Sequence, residues 1–198
     1  MRTQIRIVAG TLRGRKLTCT VNPNLRPTPQ MVREALFSLL GDAVPDRPFY
    51  DVFAGTGVVG MEALSRGARS ATFVERDFRL LADLDRHLKE FGIAGLATVV
   101  RSDVYRWAER WLPPPEPATL FLSPPFADFQ RRPEAVTELA RQLQQKAAPG
   151  SVLVLQGEHD APIELPPGPW DDRRYGRNHL LIWEKEDNSP QMNTDEHG

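Results

Sequence analysis

Residues 49–60 read FYDVFAGTGVVG, and this stretch decides the fold. Its first half, residues 49–54, is apolar or aromatic except at Asp51 and has the length of a buried β-strand. Its second half carries Gly55, Gly57 and Gly60, at which a strand can turn sharply into a helix. The next residues, VGMEALSRG (59–67), predict a short helix that ends at its final glycine. The stretch therefore predicts a strand–turn–helix unit, the building block of a parallel sheet.

The alternation of strand and helix continues towards the C-terminus. Further strands are predicted over residues 71–75, 97–101, 118–122 and 151–156, with two more flanking Tyr175–Gly176. Helices are predicted over residues 78–92, 104–111 and 133–148. In the first of these helices one apolar face is predicted, made of Phe78, Leu81, Leu84, Leu88 and Phe91. The pattern predicts an α/β fold with a doubly wound, mostly parallel sheet of seven strands, covered on both faces.

A different pattern precedes this domain. Apolar and basic residues nearly alternate over residues 4–18, which predicts a β-hairpin with a basic face. Thr28 and Pro29 then start a helix, as cap and first-turn proline. The apolar stripe predicted for this helix consists of Met31, Ala35, Leu36, Leu39 and Leu40. We therefore expect a basic hairpin arm (1–28), a main domain (29–184) and a disordered polar tail (185–198).

The charge of the chain is unevenly distributed. Its 198 residues carry 25 Lys and Arg against 26 Asp and Glu, yet residues 1–33 sum to +7 and the remainder to −8. A concentrated positive block attracts phosphates, although a solvated terminal tail is the alternative interpretation. We predict that this block binds nucleic acid through Arg2, Arg6, Arg13, Arg15, Lys16 and Arg26.

The composition excludes several classes of protein. With 40% hydrophobic residues and a single cysteine, the chain is neither a disordered protein nor a disulfide scaffold. The four histidines show no metal-ligand spacing, so no metal site is expected. No stretch approaches the roughly 18 apolar residues of a membrane helix, and charges stand where a signal peptide would be apolar. We expect a cytoplasmic protein that does not associate with a membrane.

Two carboxylates stand where the first two strands of the large sheet end. Asp51 precedes the glycine turn, and Glu75 follows 20 residues after Gly55, where it can accept the hydroxyls of a ribose. The spacing of the three glycines also fits a dinucleotide site. However, the carboxylate of Asp51 would repel a pyrophosphate and attract a cationic amino group. The sequence therefore favours a ligand that carries an amino acid moiety.

After the strand at 118–122 the chain reads Ser123-Pro124-Pro125-Phe126. The two prolines fix the loop and remove two N–H donors, which leaves carbonyl oxygens free to accept hydrogen bonds. The ring of Phe126 offers a face on which a flat base can stack. The loop therefore predicts a site for a nucleobase.

Together these motifs resemble those of class I S-adenosylmethionine-dependent methyltransferases that methylate exocyclic amines of bases. The motifs are Asp51-x-Phe-x-Gly55-x-Gly57, Glu75, Ser102-Asp103 and Ser123-Pro-Pro-Phe126. More narrowly, roughly residues 5–184 are similar to bacterial small-subunit ribosomal RNA guanine-N2 methyltransferases. That similarity is carried by RIVAGTLRGRKL (6–17), RPTPQMVREALFSLL (26–40), DVFAGTGVVGMEALSRGA (51–68), FVERD (73–77) and RYGRNHLL (174–181).

The resemblance implies a Rossmann-like methyltransferase domain that transfers a methyl group from S-adenosylmethionine to the N2 amine of a guanine in 16S ribosomal RNA. It also implies cofactor-binding roles: Gly55 and Gly57 at the methionine end, Asp51 at the amino group, Glu75 at the ribose hydroxyls and Asp103 at the adenine amino group. The catalytic loop would consist of Ser123, Pro124, Pro125 and Phe126. The partner would be ribosomal RNA or a small-subunit particle, bound by a monomer.

One position departs from the family pattern. This group of enzymes most often has an acid or amide where the chain has Ser123, whose shorter, neutral hydroxyl can still accept a hydrogen bond. Two alternative functions therefore stay open: an adenine-N6 methyltransferase of DNA or RNA, and an RNA-binding protein with weakened catalysis. The glycine spacing leaves a nicotinamide-dependent oxidoreductase as a more distant alternative.

Overall fold

The computed structural model describes residues 2–20, 25–158, 161 and 163–186. The strands in this part of the chain are β1 (Arg2–Arg6), β2 (Lys16–Thr20), β3 (Pro48–Val52), β4 (Ser70–Glu75), β5 (Ala97–Arg101), β6 (Thr119–Leu122), β7 (Val152–Glu158), β8 (Asp171–Tyr175) and β9 (Asn178–Glu184). The α-helices are α1 (Gln30–Leu40), α2 (Val58–Ser65), α3 (Phe78–Glu90), α4 (Val104–Arg110), α5 (Phe126–Arg131) and α6 (Pro133–Lys146). Short 3-10 helices lie at Gly41–Ala43 and Ala94–Leu96.

The large sheet has the strand order β5-β4-β3-β6-β7-β9-β8, and β1 and β2 form a separate antiparallel hairpin. The five strands from β5 to β7 are parallel to their neighbours. The β9 strand runs antiparallel to both β7 and β8. The predicted doubly wound, mostly parallel sheet of seven strands is therefore confirmed.

Alternate residues of the central strands cover the two faces of the sheet. Phe73 of β4 and Phe121 of β6 belong to the core beneath α1, α2 and α3. Their neighbours in the chain, Val74 and Leu122, belong to the core beneath α4 and α6. Because successive side chains of a strand point to opposite faces, both faces of the sheet are buried by apolar residues.

The order of the strands reverses beside β3. The chain leaves β3 for β4 on one side and returns with β6 on the other side, where Val52 pairs with Leu122. A crevice forms outside the carboxyl ends of parallel strands at such a reversal. The glycine turn that follows β3 and the Ser123–Phe126 loop that follows β6 therefore lie side by side.

The hairpin arm packs against the C-terminal halves of α2 and α3. Leu12 N donates to Ser65 Oγ over 2.9 Å, and His87 Nε2 lies 3.0 Å from Thr18 O. At Gly10, whose φ is +79°, a Cβ would lie 1.8 Å from the carbonyl oxygen of Ser65. The close approach of the two backbones at this point therefore requires glycine.

The buried face of α1 differs from the predicted apolar stripe. Met31 is 58% exposed and Leu39 is 38% exposed, so these two positions of the stripe face outwards. The buried residues of the helix are Val32, Arg33, Leu36, Phe37 and Leu40. The buried face is a second apolar stripe of the same helix, and it is the one that also carries Arg33 to the carboxylate of Glu62 on α2.

Phe78 also departs from its predicted place in an apolar face, since it is 58% exposed. It is the first residue of α3, and the guanidinium groups of Arg79 and Arg101 lie 5.6 and 6.0 Å from the centre of its ring.

Helix α5 was not expected from the sequence, because six residues are too few to show a helical period. The domain boundary at residue 28 stays a prediction, and most of the tail, residues 187–198, lies outside the described residues.

Candidate active site

A cavity of about 1190 Å³ opens at the carboxyl ends of the central strands. Its walls are the glycine turn, the loops that follow β4, β5 and β6, the segment 25–29 and residues 156–158 of β7. The predicted site residues that line this cavity are Asp51, Gly55, Glu75, Asp103 and residues 123–126. Gly57 does not line it. A cavity of this size at a topological switch point is the usual place for a ligand in this type of sheet.

Asp51 lies on the floor of the cavity, beneath the glycine turn. It is 1% exposed, and its Oδ2 accepts a hydrogen bond from Gly60 N over 2.9 Å. Burial raises the pKa of Asp51 to about 7; the negative charge of Glu75 adds to this rise, whereas the bond from Gly60 opposes it. The carboxyl group therefore holds the start of α2, and a cationic ligand would stabilise its charged form at neutral pH.

The three glycines of the turn have different surroundings. Gly55 lines the cavity and has a φ of +54°, a conformation that favours glycine. Gly57 does not line the cavity, and a Cβ there would lie 2.3 Å from Leu84 Cδ1. A Cβ at Gly60 would lie 2.3 Å from the ring of Phe73. The structure thus places Gly55 at the cavity, whereas Gly57 and Gly60 let α2 pack closely on α3 and β4.

The carboxylate of Glu75 is fixed by three backbone N–H groups. Oε2 accepts from Gly55 N over 3.0 Å, while Oε1 accepts from the N–H groups of Arg76 and Asp77 over 2.8 and 3.0 Å. A carboxylate has about four acceptor positions, so one is left for a further donor. One ribose hydroxyl could therefore donate to Oε2, which already accepts from Gly55 N.

Asp103 is the N-cap of α4. Its Oδ1 accepts from the backbone N–H groups of Tyr105 and Arg106 over 3.1 and 3.3 Å. Both bonds use the same oxygen, and within the described residues Oδ2 accepts no hydrogen bond. Asp103 lines the cavity, so its second oxygen is available to an amino group there.

The loop after β6 is held by the strands beside it. Ser123 N donates to Val52 O over 3.2 Å, and Ser123 Oγ lies 3.4 Å from Gln156 Oε1. The carbonyl oxygen of Pro125 accepts from Asp128 N over 2.8 Å at the start of α5. Among the described residues, the carbonyl of Pro124 accepts no hydrogen bond. Phe126 lines the cavity with 36% of its surface exposed.

A triad of Tyr105, Asp128 and Arg132 ties the helix that follows the Ser123–Phe126 loop to the α4 side of the cavity. Asp128 Oδ2 accepts from Tyr105 Oη and from Arg132 Nη2, each over 2.8 Å. The guanidinium carbon of Arg132 also lies 4.3 Å from the centre of the Tyr105 ring. Burial and the Asp128 carboxylate raise the pKa of Tyr105, so this hydroxyl stays a proton donor to Asp128.

Two groups of cavity residues were not predicted from the sequence. The first is a set of rim arginines, which line the cavity together with Arg26: Arg76, Arg131, Arg132 and Arg177. Arg76 follows β4, Arg131 and Arg132 follow β6, and Arg177 lies between β8 and β9, so a count of charge along the chain does not bring the three positions together. The second is Phe53, a cavity residue whose φ of +67° is unusual for a residue with a bulky side chain.

The hairpin of the basic arm, residues 2–20, lies apart from the cavity, whereas residues 25–28 of the arm line it. The exposed charges of the hairpin are Arg6, Arg13, Arg15 and Lys16, whereas the side chain of Arg2 lies outside the described residues. The hairpin contacts α2 at Ser65, its last residue, and eight residues of helix span about 12 Å. Of the five predicted RNA-binding residues whose side chains the structure describes, Arg26 alone lines the cavity, with its Nη1 3.4 Å from Glu158 Oε1.

Arg33 contributes to the +7 of the first 33 residues but is not available to a partner. It is 2% exposed, and its Nε donates to Glu62 Oε2 over 3.0 Å. Its Nη1 and Nη2 donate to the carbonyl oxygens of Thr28 and Arg6 over 2.6 and 2.8 Å. This one side chain therefore joins the arm, the segment that lines the cavity and α2.

Within the described residues, no group of three or more His, Cys, Asp and Glu side chains is arranged to hold a metal ion. The same part of the chain has no helix long and apolar enough to span a membrane.

Comparison with known proteins identifies related chains. The family described as "Conserved hypothetical protein 95" matches residues 5–184. The "Putative rRNA methyltransferase YlbH" of Bacillus subtilis is 30% identical over 191 residues, which cover 91% of this chain and 99% of that protein. The "Ribosomal RNA small subunit methyltransferase D" of Escherichia coli is 42% identical over 123 residues, which cover 62% of this chain and 61% of that protein.

A solved structure agrees with these relatives. The "Putative methyltransferase yhhF" from Escherichia coli superimposes with a TM-score of 0.75 and 32% identity, over 93% of this chain and 99% of that one. Family match, relatives and superposition all extend over most of the main domain. The chain therefore belongs to the family described as Conserved hypothetical protein 95, and it has the Rossmann-like fold of class I methyltransferases.

Proposed function

We propose that this protein transfers a methyl group from S-adenosylmethionine to the N2 amine of a guanine in small-subunit ribosomal RNA. The proposal rests on one observation: the strand-end carboxylates and the Ser-Pro-Pro-Phe loop line the same cavity. The methyltransferase relatives support the reaction class, and two of them are named as enzymes of ribosomal RNA. We place this activity in the cytoplasm and assign it to a monomer.

The residues of the cavity fit S-adenosylmethionine. The cofactor carries a sulfonium and an amino group, and when bound it supplies an electrophilic methyl group. Asp51 offers a buried carboxyl group whose charged form a cation would stabilise. Glu75 retains an acceptor position for a ribose hydroxyl, and Asp103 Oδ2 is available to an adenine amino group. Gly55 allows the backbone to approach the ligand closely.

The catalytic loop supplies acceptors and a stacking surface rather than a strong base. An exocyclic purine amine is a poor nucleophile, and it needs hydrogen-bond acceptors as it becomes tetrahedral. Ser123 Oγ and the carbonyl of Pro124 are such acceptors, and Phe126 holds the flat base between them and the cofactor. Positioning is therefore the main catalytic contribution, and it can lower a barrier by up to about 7–11 kcal/mol. A stacked base must also be unpaired or leave its helix.

The activity is tested by incubating the protein with methyl-labelled S-adenosylmethionine and small-subunit particles from a strain that lacks the activity. We expect label in 16S RNA at a single position. An RNA-binding protein without catalysis would retain the particles but leave the RNA unlabelled, and that result would refute the enzyme assignment.

We expect cofactor affinity to depend on pH through Asp51. Because its pKa is raised to about 7, the free carboxyl group is partly protonated at neutral pH, and binding of a cationic amino group favours the charged form. Affinity should therefore increase between pH 6 and pH 8, and binding at pH 7 should release a proton. Calorimetry in two buffers with different ionisation enthalpies measures this release.

The Asp51→Asn variant is the control for that measurement. It keeps a side-chain oxygen that can accept from Gly60 N but does not titrate, so proton release attributable to Asp51 should vanish and affinity should fall. Equal proton release by the two proteins would exclude Asp51 as the titrating group.

The arm and the rim should affect RNA binding in different ways. Replacing Arg6, Arg13, Arg15 and Lys16 by glutamine should weaken RNA binding with little effect on the turnover of bound RNA. If each residue contacts one phosphate of single-stranded RNA, the plot of log binding constant against log salt concentration should become less steep by about 0.7 per residue replaced. Replacing Arg131 and Arg177 should lower turnover as well as binding, because they line the same cavity as the catalytic loop.

Filter binding at several salt concentrations, combined with single-turnover transfer, separates these effects. If the arm variant bound RNA as tightly as the unmodified protein at every salt concentration, the arm would be a solvated tail and not an RNA contact.

A further inference from the structure

Gln156 of β7 is a buried amide at the floor of the cavity, next to the catalytic loop. It is 8% exposed, and its Oε1 accepts from Thr28 Oγ1 over 2.9 Å and lies 3.4 Å from Ser123 Oγ. Its Nε2 donates to Asn178 Oδ1 over 3.0 Å. One side chain thus connects the segment before α1, the catalytic loop and the start of β9.

The contact with Gln156 determines what the hydroxyl of Ser123 can offer to a substrate. A serine hydroxyl has one proton to donate and two lone pairs that accept. If the proton is directed to Gln156 Oε1, the lone pairs are left for the cavity. If the proton pointed into the cavity, it would face the N–H groups of the target amine and repel them.

This requirement is specific to a serine at this position. The methyltransferases that this chain resembles most often have an acid or amide there. Such a side chain presents a carbonyl-type acceptor and has no hydroxyl proton to direct. Ser123 carries such a proton and therefore needs an acceptor behind it. The oxygen of Gln156 has two lone pairs and can serve both Thr28 and Ser123.

The position of Gln156 is itself fixed. Asn178 holds the amide nitrogen, and the backbone of Thr28 is held by Arg33 Nη1 over 2.6 Å. The separation between Ser123 Oγ and Gln156 Oε1 is long for a hydroxyl hydrogen bond, and catalytic hydrogen bonds commonly shorten when substrate binds.

We infer that Gln156 is a positioning residue: it accepts the proton of Ser123 and so presents the serine oxygen as an acceptor to the amine that receives the methyl group. The inference rests on the proposed function, because it needs an amine in the cavity. It extends that function by explaining how a serine replaces the acid or amide of this loop.

The test compares Gln156→Met with Gln156→Glu in single-turnover methyl transfer to small-subunit RNA. Methionine keeps the volume but removes the acceptor, so the transfer rate should fall about tenfold or more, with cofactor affinity within about twofold. Glutamate keeps the acceptor, and Asn178 can turn its amide group to donate to it in place of accepting, so most of the rate should be retained. The matched control is Gln144→Met, a buried glutamine of α6 outside the cavity lining, which should leave the rate unchanged.

Repeating the Gln156→Met substitution in a Ser123→Ala protein separates a positioning role of Gln156 from a structural one. In a Ser123→Ala protein there is no proton to direct, so Gln156→Met should change the remaining rate by less than about twofold. An equal loss in both backgrounds, or no loss with Ser123 present, would overturn the role of Gln156 alone. A wild-type protein that transfers no methyl group to RNA would overturn the proposed function together with this inference.

Discussion

Replacing Phe126 by alanine is expected to lower the efficiency of methyl transfer about 100-fold or more while cofactor affinity changes by less than about twofold. The ring lines the cavity at the first turn of α5, and 36% of the residue is exposed, so it is available to a stacked base. Stacking of a base on an aromatic ring contributes about 1–3 kcal/mol. The larger loss is expected because a base that is not held also loses its alignment with the methyl group.

A series of side chains at position 126 identifies the contribution of the ring. Tyrosine keeps a flat aromatic face and should retain most of the activity, whereas leucine keeps an apolar surface without a face for stacking. Single-turnover rates and calorimetric cofactor affinities should therefore rank phenylalanine and tyrosine above leucine, and leucine above alanine. Equal rates for phenylalanine and alanine would remove Phe126 from the catalytic loop.

Replacing Arg33 by methionine is expected to destabilise the protein by about 3 kcal/mol or more, because one partner of a buried ion pair is removed. Glu62 is fully buried and would retain only Arg66, whose Nη2 lies 3.0 Å from Glu62 Oε1. The carbonyl oxygens of Thr28 and Arg6 would also lose their donors. Urea unfolding followed by circular dichroism measures the change.

Two further variants make that measurement specific. The double variant Arg33→Met with Glu62→Leu removes both buried charges and should recover part of the lost stability. The control is Arg141→Met, which breaks the exposed ion pair with Glu138 and should cost at most about 1 kcal/mol. A loss below about 1 kcal/mol in the Arg33→Met protein would show that the buried pair is not essential to the fold.

The fold was predictable because its signals are periodic and local. The glycine turn, the apolar strands and the alternation with helices each follow from the sequence, and the observed sheet agrees with them. The predicted faces of α1 and α3 failed at Met31, Leu39 and Phe78. Apolar periodicity does not report that Arg33 is buried on a carboxylate, nor that Phe78 lies beneath two guanidinium groups at a helix end.

The candidate site was predictable where a residue type stands at a strand end. Asp51, Gly55, Glu75, Asp103 and the catalytic loop lie around one cavity, and their roles there stay predictions. Gly57 could not be separated from Gly55 by sequence, because both fit a turn and only the packing against Leu84 distinguishes them. The rim arginines and Gln156 carry no local motif, since only the folded sheet brings them to the cavity.

The central claim is that the cavity holds a guanine on Phe126 and directs its N2 amine to the methyl group of S-adenosylmethionine. The most direct measurement is mass spectrometry of nucleosides from 16S RNA that was incubated with the protein and methyl-labelled cofactor. The account predicts that all label is recovered in N2-methylguanosine. Label in N6-methyladenosine, or label on DNA in place of RNA, would contradict it.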